Sequence, residues 1–150
     1  MTALHSFLFT PGLWLGEGSI ALSSLDEELI FYTRWMSHKK DKEGKILCVQ
    51  EIEIKGLSDI MQSEYCLFAI TETEFSFEMD NSVIGKVQGK GFVSPESISW
   101  EIVDSAGELE GVEFYQKESK DLYRMRADYA TSDQFRTEIK GKIWRKEEVK

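Results

Sequence analysis

Apolar and polar side chains alternate with a period of two almost from end to end of this chain, and helical periodicity is scarce. A strand turns successive side chains to opposite faces, so the pattern commits the chain to half-buried β-structure. Strand candidates run over Gly12–Ser23, Glu28–Ser37, Lys45–Lys55, Ser63–Thr71, Glu74–Asp80, Val83–Val93, Ser97–Asp104, Glu108–Lys117, Leu122–Ala130 and Phe135–Arg145. Short polar stretches separate them, such as Lys39–Gly44, Asp80–Ser82, Ser94–Glu96, Ser105–Gly107 and Ser119–Asp121, whose residues favour turns. Regular spacing with no long crossover segment reads as an antiparallel meander. A flat sheet of so many strands leaves edges exposed, and closure removes them. The expected fold is all-β: one antiparallel up-and-down barrel of about ten strands over residues 1–150, a single domain, with a short N-terminal segment across one end. Two departures are expected: a turn of helix within Met1–Thr10, and another over Leu57–Met61 capped by Ser58 or Asp59.

The alternation also assigns faces. The inward set is Phe75, Phe77 and Met79 in the fifth strand, Ile98, Trp100 and Ile102 in the seventh, and Tyr123, Met125, Ala127 and Tyr129 in the ninth. In the third strand it is Ile46, Cys48, Gln50, Ile52 and Ile54; in the tenth, Phe135, Thr137, Ile139, Gly141, Ile143 and Arg145. The eighth strand is read with Phe114 and Gln116 inward and Tyr115 outward. Val83, Gly85, Val87, Gly89, Gly91 and Val93 share one face of the sixth strand. Glycine at that density marks a bend, a bulge or room for something to approach. The second and fourth strands are apolar on both faces, and their orientation stays open.

Composition bounds the function. The chain has 150 residues, 41% hydrophobic, with 18 basic against 27 acidic side chains and a net charge of −9. That is too apolar for disorder, and no apolar run is long enough to span a bilayer. The acidic balance argues against nucleic acid or an anionic membrane, both of which need a basic face. The N-terminal residues lack the positive flank of a signal peptide, and a cytoplasmic protein is expected. Cys48 and Cys66 have no ligand spacing and read as buried, reduced thiols, with a disulfide or redox pair as the alternative.

The segment Gly12-Leu13-Trp14-Leu15-Gly16-Glu17-Gly18 resembles the G-x-W opening of the calycin superfamily, which holds the lipocalins, fatty-acid-binding proteins and their relatives. Its longer G-x-W-x-G-x-G form is most similar to the start of the ten-stranded nitrobindin-type barrels. The resemblance implies that Trp14 plugs one end of the barrel and that a late arginine, Arg145, packs across it. A guanidinium on an indole face is worth on the order of 1 kcal/mol. Both roles are structural. Nitrobindin-type barrels hold haem through a late histidine. His5 and His38 here are both early, so no cofactor is expected.

Residues that carry chemistry are scarce. Two histidines make no three-histidine zinc site, and no metal site is expected. There is no G-x-S-x-G elbow, and Gly85–Gly91 lacks the G-K-[ST] ending of a phosphate loop. No catalytic residue is assigned. The aromatics offer more: Trp35, Phe75, Phe77, Trp100, Phe114, Tyr123 and Tyr129 would line the barrel, with Gln50, Gln116 and Thr137 as its inward polar groups. A filled core is the alternative for each aromatic taken singly. The expected function is a cytoplasmic protein, not an enzyme, that binds a small hydrophobic or amphipathic molecule inside a barrel and is a monomer or homodimer. One alternative is a lyase or other enzyme on the same barrel, which requires Arg34, Glu64 and Tyr32 to converge inside. Another is a protein-interaction module using the outer residues Leu13, Leu15, Tyr65, Leu67 and Tyr115.

Overall fold

A computed structural model of the chain describes residues 5–103, 109–133 and 135–146. The expected turn at Ser105–Gly107 lies outside them. Ten strands follow one another: β1 (Gly12–Leu22), β2 (Leu29–Ser37), β3 (Ile46–Ile54), β4 (Ile60–Phe68), β5 (Glu74–Asn81), β6 (Gly85–Ser94), β7 (Ser97–Val103), β8 (Leu109–Ser119), β9 (Leu122–Thr131) and β10 (Arg136–Arg145). Each pairs antiparallel with the next, and β10 returns to pair with β1, so the sheet closes into a barrel. This is the all-β, ten-stranded barrel that the alternation implies.

Cross-strand partners share a face, so the registers fix what points inward. The expected inward sets of β5, β7 and β9 are all found inside, and so are Ile46, Cys48 and Gln50 of β3. The registers also orient the two strands that alternation left open. Trp35 pairs with both Trp14 and Gln50, so Phe31, Thr33, Trp35 and Ser37 of β2 face in. Tyr65 pairs with Cys48 and Met79, so Ser63, Tyr65 and Leu67 of β4 face in. Each large apolar side chain buried this way contributes roughly 1.5–3 kcal/mol.

Three expectations are corrected. No helical turn forms at Leu57–Met61. Gly56 adopts φ +93° and ends the β3 side of the connection, and β4 starts early, with Ile60 already paired to Glu53. Residues 5–10 form turns and not helix. The parity of β8 is the reverse of that expected. Trp100, inward on β7, pairs with Glu113, and Ile98 pairs with Tyr115. Glu113 and Tyr115 are therefore buried, while Phe114 is turned outward at 38% exposure. Hydrophobicity favoured burying Phe114, but register on both flanks puts Glu113 inside.

The sixth-strand glycines also have a definite cause. Phe75 pairs with Gly91 and Phe77 with Gly89. A β-carbon at either glycine would stand 2.1 Å or 2.3 Å from the Cζ of the facing ring. Gly111 does the same for Tyr129. The space those glycines leave is filled by the protein's own aromatic rings.

Candidate functional site

The two ends of the barrel interior differ. At the end formed by the start of β1 and the end of β2, residues 5–10 fold inward as a plug. The Phe7 ring is fully buried, with ring centroids of Trp14, Trp35, Tyr115 and Tyr123 at 5.4, 5.4, 5.0 and 5.6 Å. His5 anchors the plug. Its Nε2–H donates to the Ser94 carbonyl at 2.6 Å, which leaves Nδ1 to accept from the Tyr123 hydroxyl at 2.6 Å. Burial holds the His5 pKa below its usual value and pushes the Tyr123 hydroxyl up to about 12. Leu8 turns the plug with φ 71°, a backbone position costly for a branched side chain. Cys48 sits beneath it, beside Ser37 at 3.4 Å, its thiol pushed up to about 11 by burial.

This closed end is packed with rings. Trp100 stacks on Tyr115 at 4.8 Å, and Trp35 packs on Tyr65 at 5.2 Å. Phe75, Phe77, Trp35, Trp100 and Tyr123 are each 2% exposed or less. Trp14 is equally buried, and the Arg145 guanidinium and the Trp14 Nε1 edge converge over Gly12.

The other half of the interior carries buried polar groups, with half-buried apolar side chains beyond them. Gln50 Nε2 donates to Thr33 Oγ1 at 3.1 Å, and the Thr33 hydroxyl donates to the Glu51 carbonyl at 2.9 Å. Asn81 Nδ2 donates to Ser63 Oγ at 2.7 Å. Gln50 and Ser63 are cross-strand partners, so Thr33, Gln50, Ser63 and Asn81 form one polar strip across β2–β5. On β8 and β9, Glu113 accepts hydrogen bonds from the Tyr115 hydroxyl at 2.8 Å and from the Tyr129 hydroxyl. The Trp100 indole N–H approaches the same carboxylate without completing a hydrogen bond. Glu113 is 5% exposed and has no basic partner among the described residues. Burial raises its pKa, and the phenol and indole donors pull the other way. Half-buried Leu22, Leu29, Ile52, Ile54 and Ile139 surround this floor.

Of the residues expected to line a site, Trp35, Phe75, Phe77, Trp100 and Tyr123 belong to the ring-packed end. Gln50 and Tyr129 belong to the polar floor, Thr137 is half-buried on the same inward face of β10, and Phe114 is on the outer wall. Tyr32, Arg34 and Glu64 all face outward and do not converge inside. Tyr65, Leu67 and Tyr115, expected outside, are buried. Alternation missed Glu113, Thr33, Ser63 and Asn81; only the cross-strand registers place them. Among the described residues, no group of three His, Cys, Asp or Glu could hold a metal ion.

No family model and no curated protein sequence matches the chain. The fold does have a solved likeness. An S-type phycobiliprotein lyase from Guillardia theta superposes with a TM-score of 0.68 over 93% of this chain and 90% of that one, at 11% identity. At that identity the match is one of fold. A redesigned β-barrel (TM-score 0.46, 14% identity, 98% of both chains) and a designed fluorescence-activating β-barrel (0.42, 15% identity, 97% of this chain and 100% of that one) are more distant.

The two halves of the interior differ in their polar groups. The plugged end holds rings in mutual contact and leaves the indole N–H groups of Trp35 and Trp100 without a hydrogen-bond partner. The other half holds the Glu113 acid bonded to the Tyr129 hydroxyl and to that of Tyr115 from the ring-packed end, and the Thr33, Gln50, Ser63 and Asn81 strip, with half-buried apolar side chains beyond.

Proposed function

We propose that the chain is a cytoplasmic binding protein of the calycin type that holds a small apolar or amphipathic molecule in the half of its barrel away from the plug. The observation that carries this reading is the contrast between the two ends: ring packing under a plug at one, and a buried carboxylate on a polar floor beneath an apolar rim at the other. A barrel built only to be filled would have no use for a carboxylate without a cation, since burying such a group costs stability. Cys48 faces in and Cys66 out, so the two thiols do not pair with each other. A second reading, a lyase on the same barrel, draws on the fold shared with the phycobiliprotein lyase and on Glu113 as a buried acid.

The test uses N-phenyl-1-naphthylamine, a neutral fluorescent probe with an apolar body and one N–H. Wild-type protein is expected to bind it saturably, one per chain, and Ile52→Arg at the rim is expected to weaken binding at least about tenfold, as a charge set in an apolar mouth should. Native mass spectrometry of protein purified from its natural host is expected to show retained mass. Absence of both probe binding and retained mass would sink the proposal. Turnover of a bound chromophore that disappears in Glu113→Gln would transfer the assignment to the lyase reading.

A further inference from the structure

The outer wall over β9, β10, β1 and β2 carries a feature that the interior site does not use. On this acidic chain, four cations form a two-by-two block: Arg124 opposite Lys142 and Arg126 opposite Lys140. Strands about 4.8 Å apart and same-face residues about 7 Å apart put all four within about one Debye length at physiological salt. Like charges directly opposite one another destabilise a sheet. Arg124 has Glu118 at 3.1 Å, but Arg126, Lys140 and Lys142 have no carboxylate at ion-pair distance among the described residues. A groove of about 590 Å³ runs along the block, with Ile30 and Tyr32 on its β2 side. Phe114 continues the Arg126 row on β8, and Tyr32 continues the Lys142 row beyond Glu17. Phe114 and Tyr32, both exposed, thus flank the charges.

We propose that this face docks a short acidic segment of a partner protein, its carboxylates on Arg124, Arg126, Lys140 and Lys142 and its apolar side chains on Phe114 and Tyr32. The limits of the block favour this occupant. It is two strands wide: exposed Asp128 and Glu138 close it one row beyond Arg126 and Lys140, and exposed Glu17, opposite Lys142, bounds it on β1, so the segment's carboxylates sit on the four cations and only an apolar side chain reaches past Glu17 to Tyr32. A long uniform polyanion such as nucleic acid would run onto those carboxylates, whereas a short acidic segment ends before them. Exposed aromatics beside arginines are also the usual make-up of a protein interface.

The experiment measures fluorescence anisotropy of a fluorescein-labelled peptide of about a dozen alternating Glu and Phe residues. A labelled oligothymidylate of the same length is titrated in parallel. Binding of the peptide is expected at low salt, fading as salt rises. Arg126→Glu with Lys140→Glu is expected to weaken it at least about tenfold. Phe114→Ser is expected to weaken it while leaving the salt dependence unchanged. Lys140→Ala with Lys142→Ala serves if the charge reversal fails to fold, with the melting curve as the check. Equal peptide binding by wild type and the folded variants would overturn the proposal, and so would tighter binding of the oligonucleotide. Concentration-dependent self-association abolished by the same substitutions would reassign the face to a second copy and also overturn it.

Discussion

Replacing Gly91 with alanine asks whether the glycines of β6 seat rings or leave space for a ligand. A β-carbon at Gly91 would stand 2.1 Å from Cζ of Phe75, while ordinary contact begins near 3.4 Å, so the ring must retreat by 3.4 − 2.1 = 1.3 Å. It has no free direction. Phe75 is 1% exposed, the Phe9 ring meets it edge-on at 5.5 Å, and Phe77 lies at 6.2 Å. Overpacking a close-packed core costs about 1–3 kcal/mol, and a blocked ring places Gly91→Ala near the top of that range. At about 2–4 °C per kcal/mol for a domain of this size, the melting midpoint is expected to fall by roughly 6–12 °C. Thermal and urea unfolding followed by tryptophan fluorescence would read this. Phe75→Leu in the same chain is expected to return part of the loss, with a coupling of about 1–2 kcal/mol between the two positions. Gly12→Ala is the control, because its nearest neighbours stand at 3.8 Å. A Gly91→Ala variant within about 0.5 kcal/mol of wild type that instead loses probe binding would refute the reasoning and restore the glycines as pocket lining.

Two further outcomes follow from the plug and the thiols. Burial lowers the His5 pKa below its unfolded value, so its contribution to stability is present above about pH 6.5 and is lost as pH falls toward the folded value. Urea midpoints at pH 7 and pH 5 are expected to differ more for wild type than for His5→Gln, and equal differences would remove His5 as the plug's anchor. Cys48 is buried with a thiol near 11, while Cys66 is half-buried on the outer face. Ellman's reagent should therefore modify one thiol per native chain at Cys66 and the second only on unfolding; equal rates for both would contradict the burial of Cys48.

The legibility of the fold followed the physics of alternation. Where a strand has an apolar face and a charged face, as in Phe75–Met79 against Glu74 and Glu78, period two alone gave the right side. It failed on β8, where Val112 and Phe114 look like the buried set and Glu113 like the solvated one. That strand is decided by partners distant in sequence, Trp100 and Ala127, which a single strand's pattern does not contain. Alternation does not mark Thr33, Ser63 and Asn81 for a related reason: small polar residues are ordinary on either face, and only the bonds to Gln50 and between Ser63 and Asn81 show them working together. The sequence shows the glycines of β6, but whether they make room for a ligand or for a ring depends on what β5 puts opposite them. The plug was visible only as a short segment ahead of Pro11; that Phe7 enters the barrel depends on four rings from four strands.

Glu113 is the residue at which stability and function should separate. As a purely structural element it is a poor choice. Its folded pKa is raised by burial, so the folded protein holds a proton that the unfolded chain releases above about pH 4.5. The stability tied to this group is therefore fullest at low pH and falls as pH rises toward the folded value. Glu113→Gln keeps an acceptor for Tyr115 and Tyr129 and removes the ionisation. It should be at least as stable as wild type at pH 8, and its advantage should shrink toward pH 4. Glu113→Ala should be destabilised, because two buried hydroxyls lose their acceptor at about 1–3 kcal/mol each. If Glu113 serves a bound molecule, the stable Glu113→Gln variant should also be the one that loses retained mass in native mass spectrometry. A variant that gains stability and keeps its ligand would mean that Glu113 only holds Tyr115 and Tyr129 in place. A variant that loses both would mean that the acid belongs to the fold. Only the split, stability kept and ligand lost, assigns the carboxylate to binding.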